Sequence, residues 1–172
     1  MKNLIKKIYK NSLLLISLLS ILLSVGACNN RASNQVSVIS DTKFVDTIKQ
    51  GNYKVEEDGS YTSKEEVALY IYTYRKLPKN YIKKKEAEKL GWKKSKKNLY
   101  EVTGGKSIGG DKFSNYEKLL PAVKGRTYYE CDIDYKGGAR NAKRIVYADD
   151  FNEEYGFIFY TSDHYKTFEK LY

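Results

Sequence analysis

Three side chains in the C-terminal half are of types that could move a proton and hold a charge. The chain has one histidine, His164, in the closing stretch FIFYTSDHYKTFEKLY. Upstream, GRTYYECDIDY alternates as a strand does. Thr127, Tyr129, Cys131, Ile133 and Tyr135 fall on one side, and Tyr128, Glu130, Asp132 and Asp134 on the other. Cys131 and Ile133 suit a core under a helix, which leaves Glu130 on the open face. In AKRIVYADD, Arg144 and Val146 share a face, so Arg144 lies across from Glu130 if the register allows. A last strand then carries His164. A carboxylate, a guanidinium and an imidazole on one sheet face can form an acid–base site. The pattern does not set the register, and the same residues fit an ordinary solvated face, which is the commoner case.

The elements that must position these groups are legible in outline. Ser63-Lys-Glu-Glu66 has the spacing of a capping box, and Val67, Tyr70, Ile71 and Tyr74 follow as one helical stripe. Arg75 and Lys76 complement that helix C-terminus, and Pro78 stops it. A second helix fits KKKEAEKLG, closed by Gly91, and a third covers NLYEV. The texture then changes. KSIGGDKF, GRTYYECDIDY, AKRIVYADD, GFIFYTS and HYKTFEKL are short, β-branched or aromatic, and separated by Gly, Asn or Asp. Helices first and strands afterwards predict an α+β fold with an antiparallel sheet.

The N-terminus reads differently. MKNLIKKIYK carries four lysines and no acid, and an apolar run of signal-peptide length follows, ending in VGAC. That ending resembles the lipobox of bacterial lipoprotein signals. The resemblance implies a signal peptide over residues 1–27 and a lipid anchor on Cys28, on the outer face of a bacterial cytoplasmic membrane. The alternative is a plain signal peptide cut beside Cys28. Residues 28–60, polar and aperiodic, read as a flexible tether, with VSVISDTKFVDTI as a short ordered piece. The domain is then expected over 61–172.

With Cys28 lipidated, only Cys131 remains, which leaves no intramolecular disulfide. One Cys and one His cannot build a zinc site, so no metal or other cofactor is expected, although an all-carboxylate site stays open. The formal net charge is +10. Without the four lysines of the signal, 27 basic residues face 21 acidic ones, or +6. Base mixed with 17 tyrosines suits a polyanion partner such as RNA. Tyrosine is equally a good half-buried strand residue.

YRKLPKNYIKKKEAEKLGW, GKSIGGDKFSN, GRTYYECDIDY, RNAKRIVYADD and TSDHYKTF occur in one order. Together they resemble the secreted, barnase-like, guanyl-preferring ribonucleases of bacteria, a microbial N1/T1-type family, from about Val67 to Leu171. The resemblance implies helices packed on one face of a five-stranded antiparallel sheet, with the RNA site on the other. It implies metal-free transphosphorylation of single-stranded RNA to a 2′,3′-cyclic phosphate, followed by hydrolysis. Glu130 matches the general base and His164 the general acid. Lys84, Arg140 and Arg144 match the cations around the phosphate, and Tyr165 the aromatic beside the acid. Phe113, Ser114, Asn115, Tyr116 and Glu117 match the guanine site, with the Glu117 carboxylate facing N1–H and the N2 amine. Asp111 matches a structural support of the basic site.

The chain departs from the family in places. Tyr116 stands where the family has an arginine, Lys118 replaces a glycine, Ala139 a large aromatic and Arg75 a helix-end histidine. The last hairpin is longer and carries Asp149, Asp150, Glu153 and Glu154. The resemblance also implies an acidic, barstar-like inhibitor as partner, and a monomer is expected. The competing reading is a surface lipoprotein that binds RNA or another polyanion without catalysis. Such a binder has no need of the Glu130–His164 pair.

Overall fold

The computed structural model describes residues 41–154 and 156–172. The expected signal peptide over residues 1–27, Cys28 and the first part of the expected tether lie outside the described residues.

The first described element falls within residues 28–60 and overlaps the short ordered piece expected at VSVISDTKFVDTI. Helix α1, Asp41–Gln50, packs instead of dangling. Phe44 and Ile48, four residues apart and so on one helix face, are 5% and 8% exposed within the main core. The Phe44 ring meets Tyr172 edge-on at 5.4 Å. The segment after α1 is also held, because Tyr74 and Tyr70 donate their hydroxyls to the carbonyls of Val55 and Glu57. Two buried apolar residues in a ten-residue helix are a weak signal, yet they dock the segment on the core.

Helix α2 spans Lys64–Tyr74 with Ser63 as N-cap. Ser63 Oγ accepts from the Glu66 amide, as the spacing predicts. Glu66 turns its carboxylate to the Ser63 hydroxyl (2.6 Å), not to a free amide. Val67, Ala68 and Ile71 join the main core. Arg75 ends the helix in a left-handed conformation, φ 56°, and lays its guanidinium over Tyr72, Phe151 and Phe157 at 4.9–5.1 Å.

The sheet has six strands in sequence order: β1 Tyr81–Ile82, β2 Ser107–Phe113, β3 Tyr128–Asp132, β4 Arg144–Ala148, β5 Ile158–Thr161 and β6 Glu169–Lys170. Strands β2 to β6 are the expected antiparallel five. The sixth, β1, is two residues long and pairs parallel to β2. Its crossover holds helices α3 (Lys84–Lys89) and α4 (Leu99–Thr103), the length of connection a parallel pair needs. Gly91, at φ 95°, follows α3 as predicted. A second, smaller core forms there from Ile82, Ala87, Trp92, Leu99, Ile108 and Tyr135.

Two local features aim the site. The β2–β3 register shifts between Gly109 and Asp111, a bulge that sets Asp111 across from Glu130. A Cβ on Gly109 would come within 2.7 Å of Cys131 Cβ, so only glycine fits there. The expected strand HYKTFEKL shrinks to Glu169–Lys170, and His164 sits in a turn after β5. The acids of the long hairpin are partly engaged. Asp150 pairs with Arg126 at 2.8 Å, and Asp149 accepts from the Thr127 amide.

Candidate active site

Strand β3 sends Glu130 and Asp132 to one face, and each is buried. Glu130 is 7% exposed, not on an open surface. Lys84 Nζ lies 2.5 Å from its Oε1, and the Tyr165 hydroxyl donates to its Oε2. Burial alone pushes this carboxyl up. The hydrogen bonds from Lys84 and Tyr165, with the charges of Lys84 and Arg144, outweigh burial and hold it below the ordinary range. Glu130 is therefore ionised and oriented in the free protein.

Register places Arg144 across from Asp132, not from Glu130. The face inferred for Arg144 is right, and its partner lies two residue pairs further along the ladder. Asp132, 1% exposed, fixes both arginines. Arg140 grips it in a fork, Nε to Oδ2 at 2.6 Å and a terminal nitrogen to Oδ1 at 2.7 Å. Arg144 Nε lies 2.9 Å from Oδ1 as an ion pair without hydrogen-bond alignment, while the same guanidinium donates to the carbonyls of Asn141 and Lys143. Asp132 gained no role in the sequence reading. Its signal was there, since a residue two along a strand from Glu130 shares its face.

Lys84 is the first residue of α3, and its amide donates to Asp111 Oδ2 at 3.0 Å. Asp111 thus ties the start of that helix to β2, so the Lys84 side chain leaves from a fixed point.

His164 and Tyr165 follow each other in left-handed conformations, φ 59° and 72°. The His164 amide donates to the Ala142 carbonyl at 3.2 Å, and its exposed ring lies 4.7 Å from that of Tyr165. Lys84, Glu130, Arg140, Arg144, His164 and Tyr165 line one cleft of about 710 Å³. Glu88, Trp92, Lys93 and Lys94 complete its walls. Trp92 carries the Arg140 guanidinium 5.9 Å over its ring. Its place in the cleft was not foreseen, because a lone Trp before a lysine run reads as core.

Phe113 ends β2, Ser114 to Glu117 occupy the loop after it, and none of these residues lines this cleft. The two regions meet through Phe113, whose ring lies 5.1 Å from that of Tyr165. Asn115 shapes the loop by pairing both ends of its amide with the Leu120 backbone. Tyr116 is 85% exposed. Lys118 keeps φ at 53°, the conformation that a glycine at this place would favour. Among the described residues, no three His, Cys, Asp or Glu side chains are grouped to hold a metal ion.

An ionised carboxylate, an exposed imidazole and two immobilised guanidiniums in one cleft can accept a proton, donate one and stabilise an anion between them. Comparison with known proteins gives the family. A family model described as ribonuclease matches residues 64–172. A ribonuclease of Heyndrickxia coagulans is 52% identical over 105 residues, covering 61% of this chain and 92% of the relative. A ribonuclease of Bacillus intermedius is 46% identical over 140 residues, covering 81% and 77%. A third, from Bacillus pumilus, is 52% identical over 105 residues, covering 61% and 62%.

Proposed function

Because the chain belongs to the ribonuclease family and is an RNA-cleaving enzyme, we propose that it cuts single-stranded RNA, preferentially after guanine, by metal-independent transphosphorylation. The observation that carries this reading is the shared cleft. Glu130, hydrogen-bonded by Lys84 and Tyr165, faces the same space as His164 and the two arginines anchored on Asp132.

Glu130 takes the proton of the ribose 2′-OH as the 2′-oxygen bonds to phosphorus. The bond from phosphorus to the 5′-oxygen breaks, and His164 gives that oxygen its proton. The products are a 2′,3′-cyclic phosphate and a free 5′-hydroxyl. Water then opens the cyclic ester with the two roles reversed. Lys84, Arg140 and Arg144 face the charge that gathers on the phosphoryl oxygens, and Arg can grip two of them at once. Asp132 holds the arginines before substrate arrives, so little reorganisation is needed. The lowered Glu130 pKa keeps the base ionised in mild acid, at some cost in basicity. Only RNA supplies the 2′-OH nucleophile.

Guanine preference rests on the loop from Phe113 to Glu117. Glu117 would accept from N1–H and the N2 amine, and amides of Ser114 to Tyr116 would meet O6. The Phe113–Tyr165 contact would set the base loop against the catalytic turn. Export, with a lipid on Cys28, follows from the VGAC ending. An acidic inhibitor protein complementary to the cationic cleft would protect the producing cell.

The test is product analysis. GpA and CpA dinucleotides are incubated with the protein, and products are identified by chromatography and mass spectrometry. Guanosine 2′,3′-cyclic phosphate should appear first and CpA should lag. A linear 3′-phosphate formed directly, or equal rates for both dinucleotides, would remove the mechanism or the preference respectively. Mass spectrometry of the native N-terminus tests the anchor, and an unmodified Cys28 thiol would remove it.

A further inference from the structure

Consecutive left-handed residues without glycine need something to hold them, since each is disfavoured for an L-residue. His164 and Tyr165 are such a pair. The hydrogen bonds of the turn converge on one side chain, Asp163. Its Oδ1 accepts from the Thr161 hydroxyl at 2.8 Å and from the amides of Lys166 and Thr167 at 3.0 Å each. Its Oδ2 accepts from the Thr167 hydroxyl at 2.7 Å. Thr161 Oγ1 in turn accepts from the amide of Tyr165 at 3.0 Å. The carboxylate thus bridges both ends of the turn and leaves His164 at its crest.

The far end of this network is buried in the sheet. Thr161 is 1% exposed and lies directly across from Arg144 in the β4–β5 ladder. The His164 amide is bound to the carbonyl of Ala142, on the loop between Arg140 and β4. The turn is therefore referenced to the same elements that carry the two arginines. The Thr167 hydroxyl and amide, with Thr161 and the Lys166 amide, also hold the Asp163 carboxyl well below the usual range, so it stays a full acceptor in mild acid.

We propose that Asp163 is a positioning residue for the general acid: it holds residues 161–167 in the conformation that presents the His164 imidazole to the departing 5′-oxygen. This rests on the reading of His164 as proton donor. A side chain that only stabilised the fold would affect all substrates alike. One that positions the acid matters only where the leaving oxygen needs a proton.

The experiment compares two esters with the full chain. In GpA the leaving group is a ribose alkoxide, which needs the proton. In guanosine 3′-(4-nitrophenyl phosphate) the leaving aryl oxide does not. For Asp163→Ala, kcat on GpA should fall about 10- to 100-fold, the scale of a slightly misplaced catalytic group, with KM and aryl ester turnover nearly unchanged. Asp163→Asn keeps Oδ1 as an acceptor and should recover most of the rate. Thr161→Val, which removes the relaying hydroxyl, should copy the Asp163→Ala pattern and carries the test if that variant fails to fold. His164→Ala is the reference for a missing acid. Equal losses on both esters, or a change confined to KM, overturn the proposal. If the wild type leaves GpA intact, or His164→Ala shows no difference between the esters, the functional reading itself fails and the proposal with it.

Discussion

Tyr165 donates its hydroxyl to Glu130, so the residue beside the proposed acid is bonded to the proposed base across 35 positions of sequence. The same bond works on both groups. Burial, then the bond to Glu130, raises the Tyr165 phenol, while that bond helps to lower Glu130.

Removing this donor should move the pH profile. Tyr165→Phe loses one of the influences that hold the Glu130 carboxyl down, so its pKa rises and the base protonates sooner on acidification. The acid limb of kcat/KM should shift to higher pH, while the alkaline limb stays where it is. Stability follows the same sign. A lowered folded-state pKa stabilises the protein above the unfolded carboxyl value, and that contribution is lost as pH falls through the folded value. The stability gap between wild type and Tyr165→Phe should narrow below the ordinary carboxylate range, which urea unfolding at several pH values would read. An acid limb that stays in place would contradict the assignment of Glu130 as base.

Helix α1 should contribute to stability without touching chemistry. Phe44→Ala removes a ring that is 5% exposed, and the cost should be about 2–4 kcal/mol, near the low end for buried aromatics because α1 lies at the edge of the core. Urea unfolding should show a lower midpoint, with turnover unchanged where both proteins are folded. A truly loose tether would give no shift.

Lys118 should be a small strain. At φ 53° a lysine sits where glycine is at ease, so Lys118→Gly should stabilise by about 0.5–1 kcal/mol despite the more flexible unfolded chain. A destabilised variant would mean that the lysine makes compensating contacts.

Arg75 should act through packing. Its guanidinium lies over three rings, and Arg75→Ala should cost about 1–2 kcal/mol, given that single cation–π contacts contribute about 0.5–1 kcal/mol at exposed sites. Because arginine does not titrate in the accessible range, the loss should be flat with pH between mild acid and neutrality. A loss that varied with pH would point to another group.

Much of this architecture was readable from periodicity. The α2 stripe and the antiparallel strands β2 to β5 follow from spacing, although β3 buries residues on both of its faces. What escaped has physical causes. Alternation alone left Glu130 exposed, yet it is covered by Lys84 and Tyr165, which lie 46 and 35 residues away. The face of Arg144 was legible but its register was not, since a strand's parity is local and its partner is not. HYKTF alternates like a strand, but the Asp163 side chain captures the amides that a ladder would need. Strand β1 has only two residues, too few to show a period. The resemblance supplied roles for Glu130 and His164 that spacing alone left open, and the structure brings both into one cleft.

The most direct measurement is the initial rate of GpA cleavage in the presence of EDTA for wild type, Glu130→Ala and His164→Ala. General acid–base groups each contribute about 10²- to 10⁴-fold, so each variant should lose that much with its fold intact by circular dichroism. Robust EDTA-resistant cleavage by wild type, lost in both variants, is the predicted result. A wild type that binds RNA without shortening it, or variants that cleave at the wild-type rate, would contradict the account.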